Sequence, residues 1–330
     1  MLYFHGFGHF HPENHVDNAF LESLDIGTND AWIVQRVGIR DRRTVLPLDY
    51  LRQTKNRDLR AAQEAALYTN AETGRRAALM AIERAGLSPR DIGLVIAGSC
   101  APDNCIPAEA AAIAKSLGIE VPAFDMHSAC STFGMQVHFV EQMGAAGALP
   151  EYVLLVVPEN LTRITDFSDR SSAILFGDAT AAAVVSTKVP SRARAAFSSF
   201  GGSPAGALEV LIPRTGYFWQ NGSAVQKFAI KKMTELLAGI QARVGPDRQQ
   251  RLFYVGHQAN LTMLEAVCKR TNMPRERHLH NIVDFGNQAA AGAPAVVSQG
   301  WDRFREGDIV AVVVVGAGLS WSTIQIEIGK

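Results

Sequence analysis

The chain has 330 residues, 47% of them hydrophobic and 19% charged, with 32 basic side chains against 32 acidic ones. That composition excludes a disordered chain, and a formal net charge of zero gives no support for a nucleic-acid binder, which usually carries a basic excess. Four cysteines with no C-x-x-C pair make neither a disulfide framework nor a zinc site, so free thiols in a reducing compartment are expected.

The opening MLYFHGFGHFHPEN has neither the basic stretch nor the apolar core of a signal peptide. His5, His9 and His11 alternate along an expected strand, but no carboxylate completes a ligand set and no metal is expected. Residues 41–72 are charged and polar and read as an inserted surface loop and helix. Leu94–Ala97 (LVIA) reads as a strand ending at Gly98-Ser99, followed by an alanine-rich helix over Ala108–Leu117.

Cys130 lies in Asp125–Gly134 (DMHSACSTFG), at the start of a helix with apolar residues on nearly every side. Such a helix is central and buried. Unpaired N–H groups and the positive dipole end at its first turn favour thiolate over thiol, below the value of roughly 8.5 for a free cysteine. Tyr152–Val157 (YVLLVV) is a strand covered on both faces. Residues 187–222, with Pro190, Gly201-Gly202, Pro204 and Pro213, are the most loop-like stretch, a lid or a connection between halves. The strand Phe253–Val255 delivers His257 at its carboxyl end, and Asp284-Phe285-Gly286-Asn287 precedes another alanine-rich helix. Ile309–Val315 belongs to an apolar run too short, and too broken by glycine, to span a bilayer.

Strands alternating with helical segments predict an α/β fold. The two halves, 1–186 and 187–330, echo each other in order and spacing, though not in identity. A duplicated α/β unit places Cys130, His257 and Asn287 at corresponding strand-to-helix junctions, where α/β folds bind ligands. Singly these are a buried cysteine, a satisfied histidine and a helix cap. Together they are a nucleophile and two donors aimed at one point.

On these motifs the sequence resembles the β-ketoacyl-ACP synthase III family of the thiolase superfamily, over most of its length. GFGHFHPENHVDNAFLESLDIGTNDAWIVQRVGIRDRR, DMHSACSTF, TRITDFSDRSSAILFGDATAAAVV, NGSAVQKFAIKKM, GHQAN, FGN and GAGLSW follow in that family's order. The resemblance implies a thiolase-like fold, two pseudo-symmetric α/β halves in a five-layered αβαβα sandwich. It implies that Cys130 accepts an acyl group from a thioester, and that His257 and Asn287 hold the enolate of a decarboxylating extender. The backbone N–H groups of Cys130 and Ala317 would form the oxyanion hole. Trp32 and Arg163 would lie against the adenine of coenzyme A, with Arg36 near its phosphates and Asn260 also on the coenzyme side.

By the same resemblance no cofactor is tightly bound. An acyl-CoA is the substrate, malonyl acyl carrier protein the extender, and the enzyme is a cytoplasmic homodimer with no membrane or nucleic-acid partner. Asn287 favours decarboxylative condensation, because an amide donates to an enolate whereas a carboxylate would repel it. Thr262 stands where the family often has a carrier-docking arginine. Lys227, Lys231, Lys232 and Lys269-Arg270 could still meet an acidic carrier. Ile106 stands where the family places a bulky residue into the partner's acyl tunnel, and could accept a chain longer than acetyl. Two other readings remain: a secondary-metabolism relative that joins acyl chains or acylates another acceptor, and a silent heterodimer subunit. Retention of Cys, His and Asn argues against the last.

Overall fold

The apolar runs are strands of one ten-stranded mixed sheet in the computed structural model, which describes residues 1–330. The strands are β1 (Leu2–Phe10), β2 (Ile92–Ala97), β3 (Ala123–Asp125), β4 (Tyr152–Glu159), β5 (Ala179–Ser186), β6 (Ala193–Gly202), β7 (Leu252–Gly256), β8 (His278–Leu279), β9 (Ile309–Gly316) and β10 (Ser320–Ile328). Across the sheet they run β8-β7-β9-β10-β6-β1-β5-β4-β2-β3. Adding five to each of β1–β5 reproduces the order of the second half, outward from the antiparallel β1–β6 junction. In both halves the outer three strands are parallel, β4-β2-β3 and β9-β7-β8.

The longer helices are α1 (Asp30–Val37), α2 (Asn70–Arg84), α3 (Glu109–Leu117), α4 (Thr132–Ala145), α5 (Gly222–Val244), α6 (Leu261–Thr271) and α7 (Gly292–Gly300). Helices α4 and α7 each touch strands of both halves and form the central layer. On the outside, α2 and α3 cover the first half, while α5, backed by α6, covers the second. The result is an αβαβα sandwich. Phe7, Phe133, Val137, Val255, Val296, Val312 and Ile324 fill the space around the central helices, each buried side chain stabilising the fold by about 1.5–3 kcal/mol. Two glycines of β1 set how close α2 comes. A Cβ at Gly8 would lie 2.0 Å from the Ala77 carbonyl oxygen, and one at Gly6 2.2 Å from that of Ala81. No helix is long and apolar enough to cross a membrane.

Three expectations need correction. Residues 41–72 do not lie wholly on the surface: Arg42, Thr44, Val45, Leu46, Leu51, Asn56, Ala62 and Asn70 are wholly buried. Arg42 donates to the Ile174 carbonyl and the Asn18 side chain, tying this charged stretch into the core. Residues 187–222 are not mainly a loop, because β6 pairs with both β1 and β10 near the middle of the sheet. The six residues before it and the part after it, with short strands at Val210–Leu211 and Trp219–Gln220, are irregular. The three early histidines do not share one face. A bulge between Phe4 and Gly6 breaks the alternation; His5 bonds the Val189 carbonyl, whereas His9 and His11 bond Ser298 and Gln288.

Candidate active site

Cys130 stands just before Ser131, the N-cap of α4, so it precedes the first turn instead of lying within it. Ala129 takes a left-handed conformation at φ 46°, a strained backbone for a non-glycine residue. Hydrogen bonds fix this bend: the Ser128 amide donates to Thr132 Oγ1 (2.8 Å), and the Ser131 and Ser320 hydroxyls meet at 2.8 Å. Ser320 Oγ in turn donates to the Ala317 carbonyl (3.0 Å), which ties the turn after β9 to the nucleophile segment. Neither the Cys130 nor the Ala317 amide donates within the chain, so both are free for a ligand oxygen.

One cavity of about 600 Å³ is lined by Cys130, His257, Asn287 and Ala317, and also by Trp32, Arg36 and Asn260. The structure therefore brings together seven of the eight expected site residues. His257, at the end of β7, is 6% exposed and lines the same cavity as Cys130; its Nδ1 has no partner. The Asn287 backbone is pinned to residues 175–177, its N–H to the Leu175 carbonyl (2.8 Å) and its carbonyl from the Gly177 N–H (3.1 Å). Its side-chain Oδ1 accepts from the Ala289 amide (2.9 Å), which leaves the Nδ2 donor free.

The Cys130 thiol is held well below its ordinary pKa. A hydrogen bond from the Cys100 thiol is the largest cause, and it outweighs burial, which opposes ionisation. The charge and hydrogen bond of His257, then the charge of His127, add to it. Sequence reasoning assigned this shift to the helix end and missed Cys100, which has no periodic signal and sits thirty residues upstream.

At the outer end of the cavity, the Arg36 and Arg170 guanidiniums stack on the Trp32 ring, 4.4 and 4.9 Å from its centroid. Arg163 does not reach this place. It is 3% exposed, paired with Asp103 and bonded to the Ala101 carbonyl and the side chains of Gln63 and Asn70. Arg170, which also lines the cavity, stands at the Trp32 ring in its place. The signal was present: SDRSS follows TRIT by a few residues in the same motif. Asn260 is the N-cap of α6, its Oδ1 accepting from the Met263 amide at 2.7 Å. Lys227 and Lys231 are exposed on α5, while Lys232 lies over the Trp321 ring and pairs with Glu235.

The 3-oxoacyl-[acyl-carrier-protein] synthase III family matches residues 124–203, and its C-terminal domain family matches 245–328. A β-ketoacyl-[acyl-carrier-protein] synthase III of Oceanobacillus iheyensis is 31% identical over 328 residues, 98% of each chain. The chain belongs to the β-ketoacyl-ACP synthase III family. Among solved structures, the synthase III of Aquifex aeolicus superposes with a TM-score of 0.87 at 25% identity, covering 99% of this chain and all of that one. The synthase III of Pseudomonas aeruginosa gives 0.85 at 28% identity, covering 100% and 98%. As a β-ketoacyl-ACP synthase III family member with the thiolase fold, the protein is a condensing enzyme, an acyltransferase that forms carbon–carbon bonds.

Proposed function

We propose that Cys130 carries the acyl group between two thioester substrates, and that His257, Asn287 and the free amides of Cys130 and Ala317 are the charge-stabilising groups. The observation that carries this reading is the single cavity on which all four residues open. In the first half-reaction the Cys130 thiolate attacks the carbonyl of an acyl-CoA. The Cys130 and Ala317 N–H groups hold the oxyanion, and the coenzyme A thiolate leaves. Trp32, Arg36 and Arg170 bind the coenzyme end, the arginines suiting phosphate and the aromatic ring a base.

In the second half-reaction a malonyl thioester, carried by acyl carrier protein, loses CO2. The electron pair of the broken C–C bond passes into an enolate whose oxygen accepts from His257 and from the free Asn287 Nδ2. The enolate carbon attacks the acyl-Cys130 carbonyl, and collapse expels the thiolate and releases a 3-oxoacyl thioester two carbons longer. No redox group is needed, because thioester activation and loss of CO2 drive both steps.

Residues 1–186 and 187–330 are the two halves of a duplicated unit, in keeping with the repeated strand order. A homodimer is supported by β3, an edge strand whose Phe124 is 37% exposed, near a loop that exposes 84% of Ile106. Light scattering in solution should give twice the monomer mass.

The test is stoichiometry. With acyl-CoA and malonyl acyl carrier protein both present, one CO2 should appear per 3-oxoacyl product, and none with acyl-CoA alone. Product formed from two acyl-CoA molecules without CO2 would favour an acyl-chain-joining relative instead.

A further inference from the structure

We propose that Asn281 is a positioning residue that holds Gln258 and Gln288, the side chains that follow His257 and Asn287 in the chain, and so fixes how far apart those two stand, an inference that rests on His257 and Asn287 being the enolate donors. The fold places Asn281 between them. β7 and β8 are parallel, with Val255 beside Leu279, and continuing that register by two residues sets Asn281 against His257. From there the one-turn helix Ile282–Phe285 leads to Asn287, its Asp284 and Phe285 amides donating to the Asn281 carbonyl (both 3.1 Å).

Each glutamine makes the same pair of attachments. Gln258 Nε2 donates to the Gly256 carbonyl (2.7 Å), while its Oε1 accepts from the Asn281 amide (3.0 Å) and the Ile282 amide (3.2 Å). Gln288 Nε2 donates to the Gly286 carbonyl (3.2 Å) and to Asn281 Oδ1 (2.9 Å). Each therefore grips the carbonyl of the residue that precedes a proposed donor, and each reaches Asn281. Both glutamines are 0% exposed and Asn281 is 5% exposed. They also share one seat at the start of α7: a Cβ at Gly292 would stand 2.9 Å from Gln258 Cβ and 3.7 Å from Gln288 Cβ.

The direction of every bond is settled by the backbone. A carbonyl only accepts and an N–H only donates, so the Gly256 and Gly286 carbonyls and the Asn281 amide fix which end of each glutamine is nitrogen. Gln288 Oε1 then accepts from His11 Nε2 (2.9 Å), and Asn281 Nδ2 donates to Gln299 Oε1 (3.2 Å). Burial pushes the His11 pKa down to about 3, so its ring stays neutral and carries its proton on Nε2. Every nitrogen and oxygen of the three amide side chains is used, and a satisfied buried network holds its members in one arrangement.

The enolate oxygen must be met by both donors at once. A hydrogen bond weakens steeply outside about 2.7–3.2 Å, so the spacing of the His257 ring and the Asn287 carboxamide decides how well the enolate is held. An error of about 1 Å there costs about a hundredfold in rate. His257 Nδ1 has no partner, so the ring is placed by its backbone, whose amide donates to the Val313 carbonyl (3.0 Å) and whose preceding carbonyl is held by Gln258. Acyl loading does not use this spacing, since the Cys130 sulfur and the amides of Cys130 and Ala317 carry it. Asn281 therefore acts on the condensation half-reaction alone.

The experiment separates the half-reactions in the full-length enzyme. Acyl loading of Cys130 from an acyl-CoA, and discharge of acyl-Cys130 by malonyl acyl carrier protein, are each followed by rapid quench and intact mass. Wild type, Asn281→Ala, Asn281→Asp, Gln288→Met and Asn287→Ala are compared. Asn281→Ala and Gln288→Met should slow discharge by about ten- to a hundredfold and leave loading within about twofold of wild type. Asn281→Asp, which as the uncharged acid still accepts from Gln288 and donates to Gln299, should restore most of the discharge rate. Equal losses in both half-reactions, discharge at the wild-type rate, or failure of aspartate to restore it overturns the proposal. Should the variants not fold, hydrogen exchange in wild type decides. The Asn281 and Ile282 amides should exchange at least about a hundredfold slower than free amides, and exchange at the free rate overturns the proposal as well. If Asn287→Ala discharges as fast as wild type, the assignment of Asn287 falls and takes the role of Asn281 with it. If Asn287→Ala is slow while Asn281→Ala and Gln288→Met match wild type, only the role of Asn281 falls.

Discussion

A methyl group at position 316 would crowd the Cys130 amide, which the proposed mechanism assigns to the substrate oxygen. A Cβ there would lie 2.9 Å from the Ser131 nitrogen and 3.1 Å from that of Cys130. Gly316→Ala should therefore slow acyl loading by about a hundredfold or more, the usual loss when an oxyanion-hole donor is removed, as stopped-flow acylation would show. The two arginines of the TRITDFSDRSS motif make a second comparison. Arg170→Ala should raise KM for acyl-CoA roughly fivefold, about 1 kcal/mol of stacking, with kcat little changed. Arg163→Ala should instead destabilise the fold by about 3–5 kcal/mol in denaturant titration, because it leaves the largely buried Asp103 carboxylate without its cation. The sequence offers both arginines in one motif, and periodicity cannot separate them. What separates them is a carboxylate sixty positions away that only the fold brings near.

Strands β2, β4, β7 and β9 were legible as elements because each is buried on both faces and so reads as an unbroken apolar run. β6 was not. Its ARAAFSSFGG is half exposed along most of its length and ends in two glycines, which locally resembles a loop. Residues 41–72 misled for the opposite reason: a charged stretch reads as surface, and nothing local reveals that Arg42 is buried against the Ile174 carbonyl. The parallel pairing of β2 with β4 has a consequence for pH. Glu159 rises from 4.5 to about 8 on folding, so its contribution is fully present below pH 4.5 and is lost as pH climbs through 8. Glu159→Gln mimics the neutral acid. Its melting temperature should track wild type at acid pH and gain on it steadily toward pH 8.5; a constant gap across that range would contradict the neutral assignment.

Over the whole molecule, duplication was visible in the sequence as an order of strands and helices, whereas which junctions correspond was not. The sequence reading treated Cys130, His257 and Asn287 as equivalents. The strand order pairs Cys130 with Asn287, and His257 with the loop carrying Cys100. Identity between the halves is too low to fix that register. The central claim is that one sulfur carries the acyl group while Asn287 serves only the second half-reaction. Mass spectrometry of the enzyme after acyl-CoA alone, with the adduct mapped to a peptide, tests it most directly. Wild type and Asn287→Ala should each gain one acyl group on Cys130, Cys130→Ala should gain none, and only wild type should discharge it when a malonyl thioester is added. An adduct on another residue, or one that persists in Cys130→Ala, would contradict the account.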